Sequence, residues 1–175
     1  MSQGERALPI LREGELDIIS HSAEQTRRLG VRLGTLLQPG DVIALAGDLG
    51  AGKTAFAIGI GVGWGAKIPL TSPTFNLVHE HEREADNQIL YHLDCYRLHT
   101  AAAADAIGIE AILGGRGPVL VEWPEHVEAA LPRERLWIEL RIIEPTRRNF
   151  VFEATGKRYE ALLQQFRDTS FGVNR

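Results

Sequence analysis

The chain has 175 residues, 44% hydrophobic and 24% charged, as is typical of one folded domain and unlike disordered or fibrous proteins. Nineteen Lys and Arg against 23 Asp and Glu give a net charge of -4, which excludes a broad nucleic-acid-binding surface but not a local basic patch. The single cysteine, Cys95, excludes an internal disulfide, and no stretch has the apolar length of a signal peptide or membrane span. We therefore expect a cytoplasmic protein without membrane contact.

The first forty residues predict a strand and a helix after an unpatterned start. Residues 1–13 are predicted to form a loose leader, ahead of a single domain over residues 14–170. Alternating apolar residues over 16–19 indicate a short strand. Ser22-Ala23-Glu24-Gln25 has the form of a capping box, in which the Ser and Gln side chains satisfy free amides at a helix start. Pro39-Gly40 marks the stop of that helix.

The next segment predicts a buried strand that leads directly into a glycine-rich loop. Residues 42–46, Val-Ile-Ala-Leu-Ala, form a short apolar run that suits a strand buried on both faces. The helix predicted after the loop contains glycines at positions 59, 61, 63 and 65, each costing about 1 kcal/mol relative to Ala. We therefore expect this helix to be short.

The second half alternates strands and helices. The sequence predicts strands at 75–82 and 88–94, a helix at 100–113, a buried strand at 119–121, a helix at 124–130, a hairpin of strands at 136–143 and 149–154, and a helix at 159–166. This order predicts an α/β, P-loop NTPase-like fold. Its sheet should be mostly parallel, with helices on both faces and an antiparallel hairpin toward each side.

One sequence motif indicates which ligand the protein binds. Gly47-Asp48-Leu49-Gly50-Ala51-Gly52-Lys53-Thr54 matches the Walker A pattern G-x-x-x-x-G-K-[ST], between a predicted strand and a predicted helix. The glycines let successive backbone amides point at phosphates, and the helix start adds its positive dipole end. Lys53 supplies a charge for the β and γ phosphates, and the Thr54 hydroxyl can ligate Mg²⁺. The sequence thus predicts binding of ATP and Mg²⁺.

A P-loop also needs a carboxylate at the end of another buried strand, and two residues qualify. Glu122 follows the apolar run 119–121 and is our first candidate for the metal; Asp94 ends another strand and ranks second. His79, His81 and His92 could meet across a hairpin, which leaves a metal site conceivable. Cys95 reads as a neighbour of the site rather than a nucleophile.

Four sequence segments, in their order along the chain, resemble segments of one protein family. They are the Walker A segment, Ser72-Pro73-Thr74-Phe75, His92-Leu93-Asp94-Cys95-Tyr96-Arg97-Leu98 and Glu122-Trp123-Pro124-Glu125, and over about residues 20–155 they are similar to the TsaE family, formerly YjeE. The resemblance implies a bacterial ATPase needed to make threonylcarbamoyladenosine in tRNA, acting with the proteins TsaD and TsaB. Because the chain is acidic, tRNA should be met mainly through those partners.

The resemblance also implies residue roles. ATP phosphates are assigned to residues 50–54, Mg²⁺ to Thr54 and Glu122, and a nucleotide contact to Asp94. The resemblance also implies that Thr74 is a switch residue. The local sequence alone, with its proline, predicts only an ordinary turn there. The helix start at Ala23 and the late turn at Thr146 should approach the nucleotide. The family often has a second threonine where this chain has Ala55, so only a backbone amide remains there.

Other functions remain open from the residues. A small-molecule kinase on the same loop would need a lid with arginines and an acceptor pocket; Arg147 and Arg148 are candidate arginines, but no lid is evident. A nucleotide-sensing module without useful hydrolysis is a second alternative, whereas a GTPase is disfavoured because no N-K-x-D motif occurs. No arginine is clearly placed as a finger for the γ-phosphate, with Arg97 and Arg147 as internal candidates. The protein alone should therefore be a slow ATPase.

Overall fold

The computed structural model of the chain describes residues 12–72 and 77–172. The predicted leader, residues 1–13, lies mostly outside these ranges, and so does Thr74 of the candidate switch. Within the described ranges, every helix is too short or too polar to cross a bilayer.

The described chain forms seven strands and five helices, with two turns of 3₁₀ helix between β5 and β6. The strands are β1 (Glu15–Ser20), β2 (Val42–Ala46), β3 (Val78–Glu82), β4 (Ile89–Asp94), β5 (Val119–Glu122), β6 (Arg135–Glu144) and β7 (Arg147–Thr155). The helices are α1 (Ala23–Gly34), α2 (Lys53–Trp64), α3 (Ala101–Ala106), α4 (Ile109–Ile112) and α5 (Lys157–Phe171).

The strands form one sheet in the order β1-β7-β6-β2-β5-β4-β3. Its centre is parallel, since β2 pairs in parallel with β5 and β6, and β5 pairs in parallel with β4. Antiparallel pairs flank this centre, β3 with β4 on one side and β6 with β7 on the other, and β1 adds to β7. The predicted α/β class, with a parallel core and a hairpin toward each side, is confirmed.

Helices cover both faces of the sheet. Alternate residues of β5 point to opposite sides: Leu120 joins a core cluster with α1, α2 and α5, whereas Val119 and Val121 join a second cluster with α3 and α4. All four residues of β5 and all five of β2 are buried. The apolar runs predicted to be strands buried on both faces therefore occupy the middle of the molecule.

The helix after the glycine-rich loop is not short, so that prediction is wrong. Helix α2 has 12 residues, as many as α1. Its glycines serve packing: a Cβ at Gly59 or Gly63 would collide with the backbone of α1, and one at Gly30 of α1 would collide with the backbone of α2. The two helices therefore pack backbone against backbone, and this tertiary contact outweighs the weak helix propensity of glycine.

Two predicted helices in the second half are broken. The segment 100–113 splits into α3 and α4 at Gly108, which adopts a left-handed φ of +70° and turns the chain so that Ile109 is fully buried. The segment 124–130 forms two 3₁₀ turns instead of one helix. It follows Trp123, a non-glycine residue with a φ of 57°, so the chain leaves β5 through a sharp bend.

The capping box before α1 is confirmed with one difference. The Ser22 hydroxyl accepts a hydrogen bond of 3.1 Å from the Gln25 amide, as a capping residue should. The Gln25 side chain accepts from the amide of His21 at 2.7 Å, one residue earlier than in the usual box. These bonds fix the start of α1, which becomes one wall of the site described next.

Candidate functional site

The glycine-rich loop connects the end of β2 to the start of α2. Gly47, Gly50 and Gly52 have φ values of 139°, 77° and 101°, in the region that side chains disfavour. At Gly47 a Cβ would also collide with the carbonyl of Leu140 in β6. The N-cap residue of α2 is Gly52, which has no side chain to cap the amides of the first turn. The amides of that turn are therefore available to an anionic ligand.

Lys53 folds back onto the loop that precedes it. Its Nζ donates hydrogen bonds to the carbonyl oxygens of Gly47 and Asp48, the latter at 2.8 Å, and lies 4.1 Å from the centre of the Trp123 ring. The residue is only 5% exposed. Burial lowers the pKa of Lys53, and neighbouring carboxylates, Glu122 first, oppose that shift. Two main-chain carbonyls and the Trp123 ring therefore fix the position of this ammonium group.

The two candidate carboxylates lie side by side at the same edge of the sheet as the loop. Glu122 is the last residue of β5, and the strand register pairs it with Leu45 of β2 and Asp94 of β4. Asp94 accepts a 3.0 Å hydrogen bond from the amide of Tyr96. Glu122 is 3% exposed, whereas Asp94 is partly exposed. The parallel strands therefore bring both carboxylates to the loop.

His92 holds the side chain of Glu122. The Nε2 of His92 and the Oε1 of Glu122 lie 2.8 Å apart, and both residues are buried. The sequence also allows a metal site that would combine His92 with His79 and His81. Their rings are neighbours, but the described part of the chain contains no group of three or more His, Cys, Asp or Glu able to hold a metal. The structure therefore shows His92 in a hydrogen bond with Glu122 and not in a metal site.

Cys95 begins the segment that follows Asp94. It is fully buried, and its amide donates a 3.0 Å hydrogen bond to the carbonyl of Glu122. Burial, and then the charges of Asp94 and Glu125, raise the pKa of the Cys95 thiol to about 12. A thiol held in its protonated form is a poor nucleophile, which agrees with its prediction as a neighbour of the site.

A cavity of about 280 Å³ joins the loop to the carboxylates. It is lined by residues 49–54, Ser72, Asp94, Tyr96, Glu122 and Trp123. The hydroxyl of Thr54 and the carboxylates of Glu122 and Asp94 offer it oxygen ligands, the type that Mg²⁺ prefers. The predicted metal ligands Thr54 and Glu122 are therefore brought together, and the side chains present fit a magnesium ion.

A second cavity of about 320 Å³ lies on the other side of the loop. It is lined by His21, Ser22, Ala23, Thr26, Gly52, Ala55, Pro145, Thr146 and Arg148. The predicted residues Ala23, Ala55 and Thr146 thus share one cavity. Gly52 lines both cavities. A ligand with phosphates in the first cavity could therefore place its remaining part in the second.

Some site residues differ from the sequence reasoning. Gly47 lines neither cavity, and its carbonyl holds Lys53 instead. Among the residues that the structure describes, Arg97 and Arg147 also line neither cavity, and Arg147 pairs with Glu144 at 3.2 Å. Trp123 and Arg148 were missed as contacts of the loop. The segment that contains Trp123 indicates that residue, whereas the sequence offers Arg148 only as a candidate arginine for the lid of a kinase.

Comparisons with known proteins agree with this geometry. The sequence model of the family described as "Threonylcarbamoyl adenosine biosynthesis protein TsaE" matches residues 20–150. The tRNA threonylcarbamoyladenosine biosynthesis protein TsaE of Bacillus subtilis is 37% identical over 143 residues, covering 81% of this chain and 87% of that protein. The protein of that name from Treponema pallidum is 38% identical over 125 residues, covering 71% and 90%. The crystal structure of Bacillus subtilis YdiB superposes with a TM-score of 0.74 at 33% identity, covering 89% of this chain and 95% of that one.

Proposed function

This chain belongs to the TsaE family of threonylcarbamoyl adenosine biosynthesis proteins, and from that premise we propose that it is a magnesium-dependent ATPase. It would act in forming threonylcarbamoyladenosine in tRNA, the process named for its relatives. The main support for the ATPase proposal is the first cavity. Lys53, Thr54 and Glu122 all line this cavity next to the Walker A loop. Lys53 would bind phosphate, and the hydroxyl of Thr54 and the buried carboxylate of Glu122 would bind the metal, as ATP hydrolysis by a P-loop protein requires.

The loop and Lys53 bind the triphosphate in this proposal. The amides at the start of α2 face the phosphates, and Lys53 exchanges the carbonyls of Gly47 and Asp48 for phosphate oxygens. Because Lys53 already lies within the cavity, this exchange needs a side-chain rotation rather than a change of fold. The adjacent second cavity, lined by Ala23 and Thr146, would take the nucleoside.

Thr54 and Glu122 would hold the magnesium ion, directly or through water. When bound, the ion neutralises charge on the β and γ phosphates. The hydrogen bond from His92 fixes the direction of the Glu122 carboxylate toward the cavity. In this proposal Asp94, partly exposed beside it, would orient the attacking water. Thr74, which lies outside the described residues, would act as the switch residue that the family resemblance implies.

We expect the isolated protein to be a slow ATPase. Of the described residues, Arg148 is the one arginine that lines either cavity, and its guanidinium donates to main-chain carbonyls. An arginine supplied by a partner accelerates other P-loop NTPases by about 10³ to 10⁵. We propose TsaD and TsaB as the partners, in the cytoplasm, with tRNA met mainly through them because the chain carries a net charge of -4.

Phosphate release measured in three mixtures, each prepared with the wild-type protein and with a Lys53 variant, tests this proposal. The protein is assayed alone, with TsaD and TsaB, with tRNA added, and with Lys53→Ala replacing the wild type throughout. We expect slow release by the protein alone, faster release with partners, and none above background for the variant. ATP binding without hydrolysis in every mixture would favour the nucleotide-sensing module, and phosphate transfer to an added acceptor would favour a kinase.

A further inference from the structure

Arg148, the second residue of β7, uses its whole guanidinium group to hold main-chain carbonyl oxygens. Its Nε donates to Ala51 at 3.1 Å and its Nη2 to Gly50 at 3.1 Å, both in the glycine-rich loop. Its Nη1 donates to Glu144 at 2.8 Å, the last residue of β6, and to Pro145 at 3.1 Å, in the turn that follows. Among the described residues, Arg148 forms no salt bridge with a carboxylate. One side chain therefore connects the loop to the turn.

The carbonyl groups that accept hydrogen bonds from Arg148 belong to the same loop as the amides that would bind phosphate, and they point the opposite way. When successive peptide groups of a loop turn their N–H groups toward an anion, some of the carbonyl groups must point the other way. The left-handed φ values of Gly50 and Gly52 produce such a curl. The carbonyls of Gly50 and Ala51 point outward to Arg148, so its guanidinium satisfies the groups that an anion-binding loop leaves without a partner.

We propose that Arg148 is a positioning residue that keeps the glycine-rich loop in its phosphate-binding shape and couples it to the turn lining the second cavity. This inference rests on the proposed nucleotide site. Arg148 also lines that second cavity with Thr146 and Gly52. Loss of its guanidinium would therefore loosen the phosphate-binding loop and the wall of the nucleoside cavity at the same time.

The planar fork of arginine suits this role better than lysine. A guanidinium has five N–H donors in fixed directions, so it can reach two loop carbonyls on one side and the turn on the other. The single ammonium group of lysine is a compact charge that cannot span both sets. The role consequently depends on shape as well as charge, which gives the test two informative substitutions, Arg148→Met and Arg148→Lys.

Hydrogen exchange on the ligand-free protein tests the loop without requiring any nucleotide. The amide of Ala51 donates to the carbonyl of Asp48 inside the loop, and the amide of Phe56, in the first turn of α2, donates to the carbonyl of Gly52 at the end of the loop. In Arg148→Met we expect both amides to exchange about tenfold faster, the effect of losing hydrogen bonds from a charged donor. Amides in the centre of β2 should keep their rates, and so should both sites in the control Arg141→Met. Arg141 pairs with Glu139 on the same hairpin and lines neither cavity.

Calorimetric titration with two ligands, ATP and inorganic tripolyphosphate, tests the coupling. Tripolyphosphate has no nucleoside, so its affinity reports on the loop alone. For Arg148→Met we expect both affinities to fall about 10-fold to 100-fold, and for Arg148→Lys to fall almost as far. Arg141→Met, which removes the same charge from the same hairpin, should match the wild type. Thermal melting of each variant confirms that it is folded.

The outcomes separate this inference from the proposed function. Unchanged exchange of Ala51 and Phe56 in Arg148→Met would overturn the inference, and so would full retention of tripolyphosphate binding. Full restoration by Arg148→Lys would show that charge alone matters and would also overturn it. A wild-type protein that binds neither ATP nor tripolyphosphate would contradict the proposed function, while the exchange rates would still decide the role of Arg148. If Arg148→Met does not fold, hydrogen exchange of the Ala51 and Phe56 amides is measured in Arg148→Lys, where we also expect faster exchange.

Discussion

Replacing Glu122 with Gln should separate the binding of ATP from its hydrolysis. The amide keeps the size of the carboxylate, and its oxygen can still accept the hydrogen bond from His92, which lies 2.8 Å from Oε1. The substitution therefore removes the negative charge and leaves the packing of a residue that is 3% exposed. The expected phenotype is a loss of magnesium dependence in a folded protein.

The size of the effect follows from the charges around the cavity. Two unit charges 4 Å apart attract by about 4 kcal/mol at an effective dielectric constant of 20, and a divalent ion doubles this. Rehydration of the metal offsets much of the attraction, so we expect kcat to fall about 100-fold, or about 2.7 kcal/mol. Without Mg²⁺, ATP affinity should stay equal or rise, because Glu122 no longer repels the phosphates.

The assay measures ATP affinity and phosphate release, each with and without Mg²⁺, for three variants. Glu122→Gln is compared with Asp94→Asn and with Glu153→Gln, an exposed residue of β7 that lines neither cavity and controls for loss of one charge. Addition of Mg²⁺ should tighten ATP binding in the control and have little effect in Glu122→Gln. If Asp94→Asn loses magnesium dependence and Glu122→Gln keeps it, the assignment of the metal carboxylate is wrong.

Three further measurements examine other parts of the site. Lys53→Ala should weaken ATP binding about 10-fold to 100-fold, because a charged hydrogen bond contributes about 1.5 to 3 kcal/mol; unchanged affinity by calorimetry would remove Lys53 from the site. Cys95 of the native protein should react with a thiol reagent far more slowly than in the urea-unfolded chain at the same pH, because burial raises its pKa to about 12; equal rates would contradict its burial. Thr146→Trp should fill the second cavity and weaken ATP binding while tripolyphosphate binding is retained; equal loss of both ligands would show that the cavity does not take the nucleoside.

Local chemistry made part of the site predictable from the sequence. The Walker A pattern requires glycines at positive φ, and Gly47, Gly50 and Gly52 have them. A buried strand that ends in a carboxylate predicted the place of Glu122, since parallel strands β2, β4 and β5 end at one edge of the sheet. These features depend on a few adjacent residues, so the sequence reveals them directly.

Contacts between distant residues were not predictable in this way. Arg148 lies 97 positions from Ala51, and nothing in the composition of its neighbours indicates which carbonyls its guanidinium reaches. The length of α2 was mispredicted for the same reason: helix propensity describes one segment, whereas Gly59 and Gly63 are explained by the backbone of α1. The grouping of Ala23 with Thr146 came from family resemblance, because the capping box at Ala23 predicts only a helix start and no local pattern marks Thr146.

The two basic side chains on the glycine-rich loop have different roles. Lys53 holds the carbonyls of Gly47 and Asp48, at the beginning of the loop, and lies inside the first cavity where phosphates would bind. Arg148 holds the carbonyls of Gly50 and Ala51 from outside that cavity. A phosphate must therefore displace Lys53 from its carbonyls but need not displace Arg148. Because Lys53 exchanges neutral carbonyl oxygens for the charged oxygens of a phosphate, the exchange favours phosphate binding, while the bonds of Arg148 preserve the loop.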